Sequence, residues 1–268
     1  GVISLRDLIV NEDETFISEI MSERVISVHV GDDQFDVAQT FRDYDFLALP
    51  VTDYEDHLLG IVTVDDIIDV IDEEATSDYS GLAGVNVEEV SESPLKASTR
   101  RLPWLITLLF LGMATATLIA KYEVLVSEAS ILAVFISLIT GTAGNAGTQS
   151  LAVAVRRLAI SDDKEKSFIR VLISEILTGL ITGAVTGITI FGIVAVWKGN
   201  PILGFVIGMA MMAAITVANL AGSLIPMLMD RLGFDPAVAS GPFITTLSDL
   251  TSVLIYFNIA ALFMSHFQ

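Results

Sequence analysis

Five apolar runs, almost free of charge, fill the second half of this sequence and restrict its fold more than anything else in it. Leu102–Ala120 and Ala129–Val155 carry no charged residue. Val171–Trp197 has only Glu175, Pro201–Met229 has none, and Pro236–Ser265 has only Asp249. A helix needs about 20 apolar residues to cross the hydrocarbon of a bilayer, and the longer runs leave room for tilt. Five membrane-spanning helices are therefore expected. For the second run the alternative is a re-entrant segment, because Gly141, Gly144 and Gly147 interrupt it.

Charge divides the chain in two. The formal net charge is −19, and most of the carboxylates precede Ser93, opposed there only by Arg6, Arg24 and Arg42. An anionic front repels nucleic acid and attracts cations. A solvated acidic face and a metal-sensing surface both fit that composition. With no cysteine, disulfides, thiolate metal sites and thiol nucleophiles are excluded. His29, His57 and His266 are scattered and form no soft-metal site. No secretory leader is expected, and the opening GVISLRDLIV reads as the end of a strand–helix unit within a longer chain.

Short β-rich runs alternate with helical patterns in the first 92 residues. Val25–Val30, Leu47–Val51 and Leu58–Val64 read as strands, with Phe35–Asp43 and Asp65–Ile71 as helices. That β-α-β-β-α order predicts a small α/β module. The expected fold is thus multi-domain: an α/β regulatory module over residues 1–85, a polar linker over 86–100, and an all-α membrane domain over 101–268. Lysine and arginine set its orientation. Lys96, Arg100 and Arg101 precede the first span; Arg156, Arg157, Lys164, Lys166 and Arg170 separate the second and third; Arg231 separates the fourth and fifth. Only Lys121 and Lys198 lie opposite, which places the acidic module in the cytosol and the C-terminus outside.

Asp249 is the most informative single residue. An ionised carboxylate at mid-membrane costs several kcal/mol unless water or a partner compensates it, and no span offers a mid-membrane Lys or Arg. A cation path accounts for it; a protonated, hydrogen-bonded structural Asp is the other reading. Thr245, Thr246, Ser248 and Thr251 share its span, and Ser240, Gly241 and Pro242 stand nearer the cytosolic end. Hydroxyls and free carbonyls suit a hard ion such as Mg²⁺, which keeps several waters and takes one or two carboxylates. In the second span, GTAGNAGTQ (Gly141–Gln149) reads either as a close-packing stripe or as a pore wall bearing Asn145 and Gln149. The wall is favoured, since packing alone does not call for both amides. Glu175 and Asn219 read as snorkelling or intersubunit hydrogen bonds, with a secondary ion contact as the other reading, and Glu123 and Glu128 as solvated or as an ion-concentrating mouth. In the module, Asp65, Asp66, Asp69, Asp72, Glu73 and Glu74 crowd like charges on one helix, and divalent cations are candidates to bridge them.

At this point the residues resemble a family. Leu49-Pro50-Val51-Thr52-Asp53 followed by Gly60-Ile61-Val62-Thr63-Val64-Asp65-Asp66 is similar to the second half of a CBS-domain pair, and Gly1–Val10 looks like the tail of the first. Arg100-Arg101-Leu102-Pro103-Trp104, Asn145-Ala146-Gly147-Thr148-Gln149, Asp235-Pro236-Ala237, Ser240-Gly241-Pro242 and Thr246-Leu247-Ser248-Asp249 together resemble the MgtE family of magnesium transporters. The resemblance implies a homodimer with a pore on its axis, lined by the second and fifth spans. Asp249 would hold hydrated Mg²⁺ there, with Thr246, Asn145 and Gly241 as further pore contacts. Asp69, Asp72, Glu73 and Glu74 are the implied cytosolic sensor, and a plug helix within Asn86–Arg100 would close the pore at high Mg²⁺. Thr63 and Asp66 fit the ribose contacts of an adenine nucleotide such as ATP. The family's acidic N-terminal domain and most of the first CBS motif are absent here, so sites shared with them are incomplete. No enzymatic activity and no nucleic-acid partner are expected: no HExxH is present for metalloprotease chemistry. Carriage of another divalent ion (Mn²⁺, Co²⁺ or Ni²⁺) and a membrane-anchored CBS sensor are the alternative functions.

Overall fold

A computed structural model describes residues 1–85, 93–128, 130–160, 168–233 and 239–266. The chain divides into two compact units, Gly1–Thr76 and Ser77–Gln268.

The first unit is a short sheet with helices. Helix α1 (Leu5–Val10) starts at a capping box in which Ser4 Oγ accepts from the Asp7 amide at 3.2 Å while Asp7 accepts from the Ser4 amide. A single turn, α2 (Ile17–Ile20), follows, and Val2 bridges Ser22. Strands β1 (Val28–His29), β2 (Ala48–Thr52) and β3 (Leu58–Thr63) lie in the order β1-β2-β3. β1 and β2 run parallel through helix α3 (Gln34–Tyr44), whereas β2 and β3 form an antiparallel hairpin. Asp33 caps α3, accepting from the Phe35 amide at 2.8 Å. Val28, Val37, Ala38, Phe41, Leu49 and Ile67 make the core. The strand expected over Val25–Val30 shortens to Val28–His29, paired with Val51 and Thr52; Val30 adds an N–H bond to the Thr52 carbonyl at 2.9 Å, and Pro50, next along β2, has no N–H to extend the ladder. Helix α4 runs Val64–Ala83, far beyond the expected Ile71. Its Asp, Glu and Ala residues sustain a helix that the acidic run alone left open.

Among its described residues the second unit has helices and no strand. Helix α5 (Pro94–Lys121) leads to α6 (Glu123–Glu128), a 3₁₀ turn (Ser130–Phe135), α7 (Ile136–Ile160), α8 (Phe168–Lys198), α9 (Pro201–Arg231) and α10 (Gly241–Leu262). Among the described residues, five helices are long and apolar enough to cross a membrane: α5, Ser130–Leu158, α8, α9 and α10. The second is one continuous helix from Ile136, unbroken at its glycines. Pro94–Arg100, expected as linker, forms the first two turns of α5, capped by Ser93 with Pro94 at the first position. Asn86–Glu92, the rest of the expected linker and plug, lies outside the described residues.

α9 is the central helix. In its most apolar stretch 56% of residues are buried, against 0% for α5, and it packs on α7, α8 and α10. Leu203, Val206, Ile207, Ala210 and Ala214 join Leu132, Ile139 and Phe257 in the core. Outside that core α5 and α8 present large apolar side chains, among them Phe110, Ile181 and Val196, as lipid-facing helices do.

Candidate functional site: a carboxylate and a hydroxylated recess on α10

The first turn of α10 is built from Ser240, Gly241 and Pro242. Ser240 occupies the cap position, but its side chain caps nothing; its Oγ accepts from Trp104 Nε1 of α5 at 3.1 Å. Pro242 has no N–H to satisfy, so the turn starts without an orphan donor there. The preceding Asp235-Pro236-Ala237 lies outside the described residues.

One and two turns further on stand the polar side chains. Thr245 Oγ1 donates to the Gly241 carbonyl at 3.0 Å and Thr246 Oγ1 to that of Pro242 at 2.8 Å. Each hydroxyl proton is thus absorbed by the helix, leaving the oxygen lone pairs free to face a cation or water. Thr148 of α7 joins Gly241, Thr245 and Thr246 around an open recess of about 580 Å³, walled by Leu82 and Leu108. Asp249 follows Thr246 by three residues and Thr245 by four, on the same helix face. It is half-buried and makes no hydrogen bond or ion pair with any described residue. Beside it the Ser248 and Ser252 hydroxyls are buried and bond to no described residue.

The two readings of GTAGNAGTQ fall on two faces of α7. Gly144 and Gly147 are buried against α10: a Cβ on Gly144 would lie 3.1 Å from Thr245 Cγ2, and one on Gly147 2.9 Å from Ile244 Cγ2. A Cβ on Gly222 of α9 would collide with the Gly147 carbonyl. These glycines are packing residues. Gly141, Asn145 and Gln149, in contrast, are exposed, and nothing lies within 4 Å of a Cβ placed on Gly141. The amides therefore form an uncovered polar stripe along the second span.

Glu175 is buried and fully engaged inside the chain. Its Oε2 accepts from Asn219 Nδ2 at 3.0 Å and from Ser150 Oγ at 3.2 Å, and its Oε1 lies 3.6 Å from Arg157. Asn219 Nδ2 also reaches the Glu175 carbonyl, and Ser150 Oγ the Asn219 carbonyl at 2.7 Å. The network ties α7, α8 and α9 together. This corrects the expectation of snorkelling or intersubunit bonding for Glu175 and Asn219. Glu123 begins α6 and is exposed.

In the first unit the candidates are less concentrated. Asp69, Asp72, Glu73 and Glu74 are exposed along α4, and among the described residues no three His, Asp or Glu side chains are grouped to hold a metal. Thr63 Oγ1 donates to Asp66 Oδ2 at 2.9 Å. Asp66 lines a cleft of about 320 Å³ floored by Val37, Val62 and Val70, with His29 and Asp32 at its rim. The sequence shows His29 as a scattered histidine and does not disclose that it lines this cleft with Asp32. Their signal is the turn after β1, where Asp32 accepts from the His29 amide at 2.7 Å.

Fold and site together define a multi-pass membrane protein with an α/β domain ahead of its spans. A family model described as MgtE, divalent cation transporter, matches residues 136–259, and a CBS-domain model matches residues 17–73. The chain thus carries a region of the MgtE divalent cation transporter type behind a CBS domain. It is 81% identical over 267 residues to a protein of Enterococcus faecalis named magnesium transporter MgtE. It is 42% and 40% identical to proteins of the same name from Bacillus subtilis and Thermus thermophilus. These alignments cover 98–100% of this chain and 59% of each relative, so the chain spans about three-fifths of their length.

Proposed function

We propose that this chain is the pore-bearing part of a Mg²⁺ transporter, passing the ion down its gradient past Asp249. One observation carries the reading: an unpartnered, half-buried carboxylate within an apolar helix, next to a recess edged by threonine oxygens. A path for a hydrated hard cation makes use of every one of those groups. The magnesium-transporter names of its relatives support Mg²⁺ as the ion. The broader family description, divalent cation transporter, keeps Mn²⁺, Co²⁺ and Ni²⁺ as the second reading.

In this proposal two copies pair so that the exposed stripe of Gly141, Asn145 and Gln149 faces the axis, with Thr246 and Gly241 at its cytosolic end. The α/β domain over 1–85 is cytosolic and regulatory, 86–100 holds the closing element, and 101–268 carries the pore. Asp69, Asp72, Glu73 and Glu74 bind Mg²⁺ between copies or against segments of the longer protein, and the Asp66 cleft with Thr63 accepts an adenine nucleotide. The protein sits in the cell membrane with its C-terminus outside.

The test is Mg²⁺ flux into proteoliposomes, comparing this chain with Asp249→Ala at equal reconstitution. The variant should lose flux by about tenfold or more, which corresponds to about 1.4 kcal/mol of ion stabilisation. Equal and equally selective flux would make Asp249 structural and end the proposal. Flux of Mn²⁺ but not Mg²⁺ would select the second reading.

A further inference from the structure

The α8–α9 hairpin carries a groove that the transport site does not use. It encloses about 190 Å³ between Ala184, Gly187, Phe191, Phe205, Gly208 and Met212, with an almost wholly apolar lining. Its floor is tight: a Cβ on Gly208 would sit 2.6 Å from the Gly187 carbonyl. Its rim is open, for Phe191, Phe205 and Met209 are all exposed. Both helices cross a membrane, so the groove opens into hydrocarbon, where acyl chains are the solvent.

The same stripe of α8 ends in a cation. Ala184, Phe191 and Lys198 are spaced by seven residues, which places them on one helix face within about 40°. Lys198 Nζ lies 3.9 Å over the Trp197 ring and forms no ion pair with any described residue. A tryptophan and a lysine at a helix end mark the headgroup level. At 1.5 Å per residue, Phe191 lies about 10 Å below Lys198 and Ala184 about 21 Å below it. Half a bilayer, headgroups included, is about 20–22 Å deep. The groove therefore occupies the inner half of one leaflet, directly beneath a held positive charge.

We propose that this hairpin is a specific site for an anionic glycerophospholipid, with an acyl chain in the groove and the phosphate on Lys198. Charge complementarity selects the headgroup, and the matched depth selects a lipid over a detached anion. The groove also explains why α8 and α9 keep glycines at 187 and 208: larger residues would force the helices apart and change its floor. The inference needs only that α8 and α9 cross the membrane, and it stands or falls independently of the ion path.

The experiment is native mass spectrometry of the chain released from nanodiscs containing equal amounts of dioleoyl phosphatidylglycerol and dioleoyl phosphatidylcholine. Retained phosphatidylglycerol should exceed phosphatidylcholine by about fivefold, the preference that one lysine at a membrane surface supports. Lys198→Gln should abolish the preference. Ala184→Phe, which fills the groove, should reduce retention of either lipid, and unchanged unfolding midpoints would show both variants folded. Equal retention of the two lipids overturns the proposal, as does a preference that survives Lys198→Gln. Retention untouched by Ala184→Phe places the lipid elsewhere, and cross-linking of two copies through position 191 would give the groove to a second chain; each result also overturns it.

Discussion

Glu175 and Asp249 are both carboxylates inside apolar helices, yet their surroundings are opposite. Glu175 accepts from Asn219 and Ser150 and faces Arg157, so its burial is compensated within the chain. Removing one donor strands the rest. Asn219→Leu should lower unfolding stability by about 1–3 kcal/mol, the cost of leaving a buried acceptor unpaired, read as a reduced midpoint in detergent. An unchanged midpoint would mean that water replaces the amide. Outside the membrane, Asp53 shows the same accounting on an exposed loop. It accepts the backbone amides of His57 at 2.8 Å and Glu55 at 2.9 Å, with the His57 ring at 3.1 Å. The His57 amide above all holds its carboxyl below the usual range. A depressed folded pKa makes the loop's extra stability present at neutral pH and lost as pH falls below about 4, through the folded value. Amide shifts of His57 and Glu55 should therefore titrate together with a midpoint below that of an unstructured Asp; a midpoint at the ordinary value would break the link. Asp249 was legible from sequence because a lone charge in an apolar run stands out. The engagement of Glu175 was not, since its partners lie 25 and 44 residues away and only packing brings them together.

At the scale of elements, the spans were readable because crossing a bilayer is a one-dimensional constraint on length and charge. Helix faces were not. In α7, Gly144 and Gly147 of GTAGNAGTQ pack inward while Gly141 and the two amides are exposed, a division that a run of small and polar residues does not disclose. It has a direct consequence. Gly222→Ala would drive a methyl into the Gly147 carbonyl, which obliges α7 and α9 to separate; overpacking of this kind costs about 1–3 kcal/mol. Gly141→Ala meets open space and should leave the unfolding midpoint of the isolated chain unchanged. Thermal unfolding in detergent distinguishes the two, and equal behaviour would contradict the close approach of α7 and α9. The ends of α4 and β1 were missed for related reasons. α4 outruns the expected Ile71 because acidic residues tolerate a helix as readily as a loop, and β1 falls short where its partner strand reaches Pro50, which has no N–H to give.

For the whole molecule, the governing feature is the separation of charge from apolar mass: an acidic α/β unit followed by helices that keep almost no charge. Exposed carboxylates on α4 repel one another, and the described residues group no three of them as a metal site. In the proposed reading Mg²⁺ regulates the protein by bridging α4 to another acidic surface, such as one on a second copy. Such a surface is a two-state element whose compact form is favoured by the ion. Limited proteolysis reads that directly. At constant ionic strength, millimolar Mg²⁺ should slow cleavage within residues 1–85 several-fold, and Asp69→Asn combined with Asp72→Asn, Glu73→Gln and Glu74→Gln should remove the protection. Matching the ionic strength with a monovalent salt separates bridging from screening, because screening depends on ionic strength alone whereas a bridge needs one ion in contact with two surfaces. Protection equal in both salts would reduce the acidic face to a solvated surface. Protection that persists in the fourfold variant would move the sensor away from α4 to other carboxylates of the acidic front.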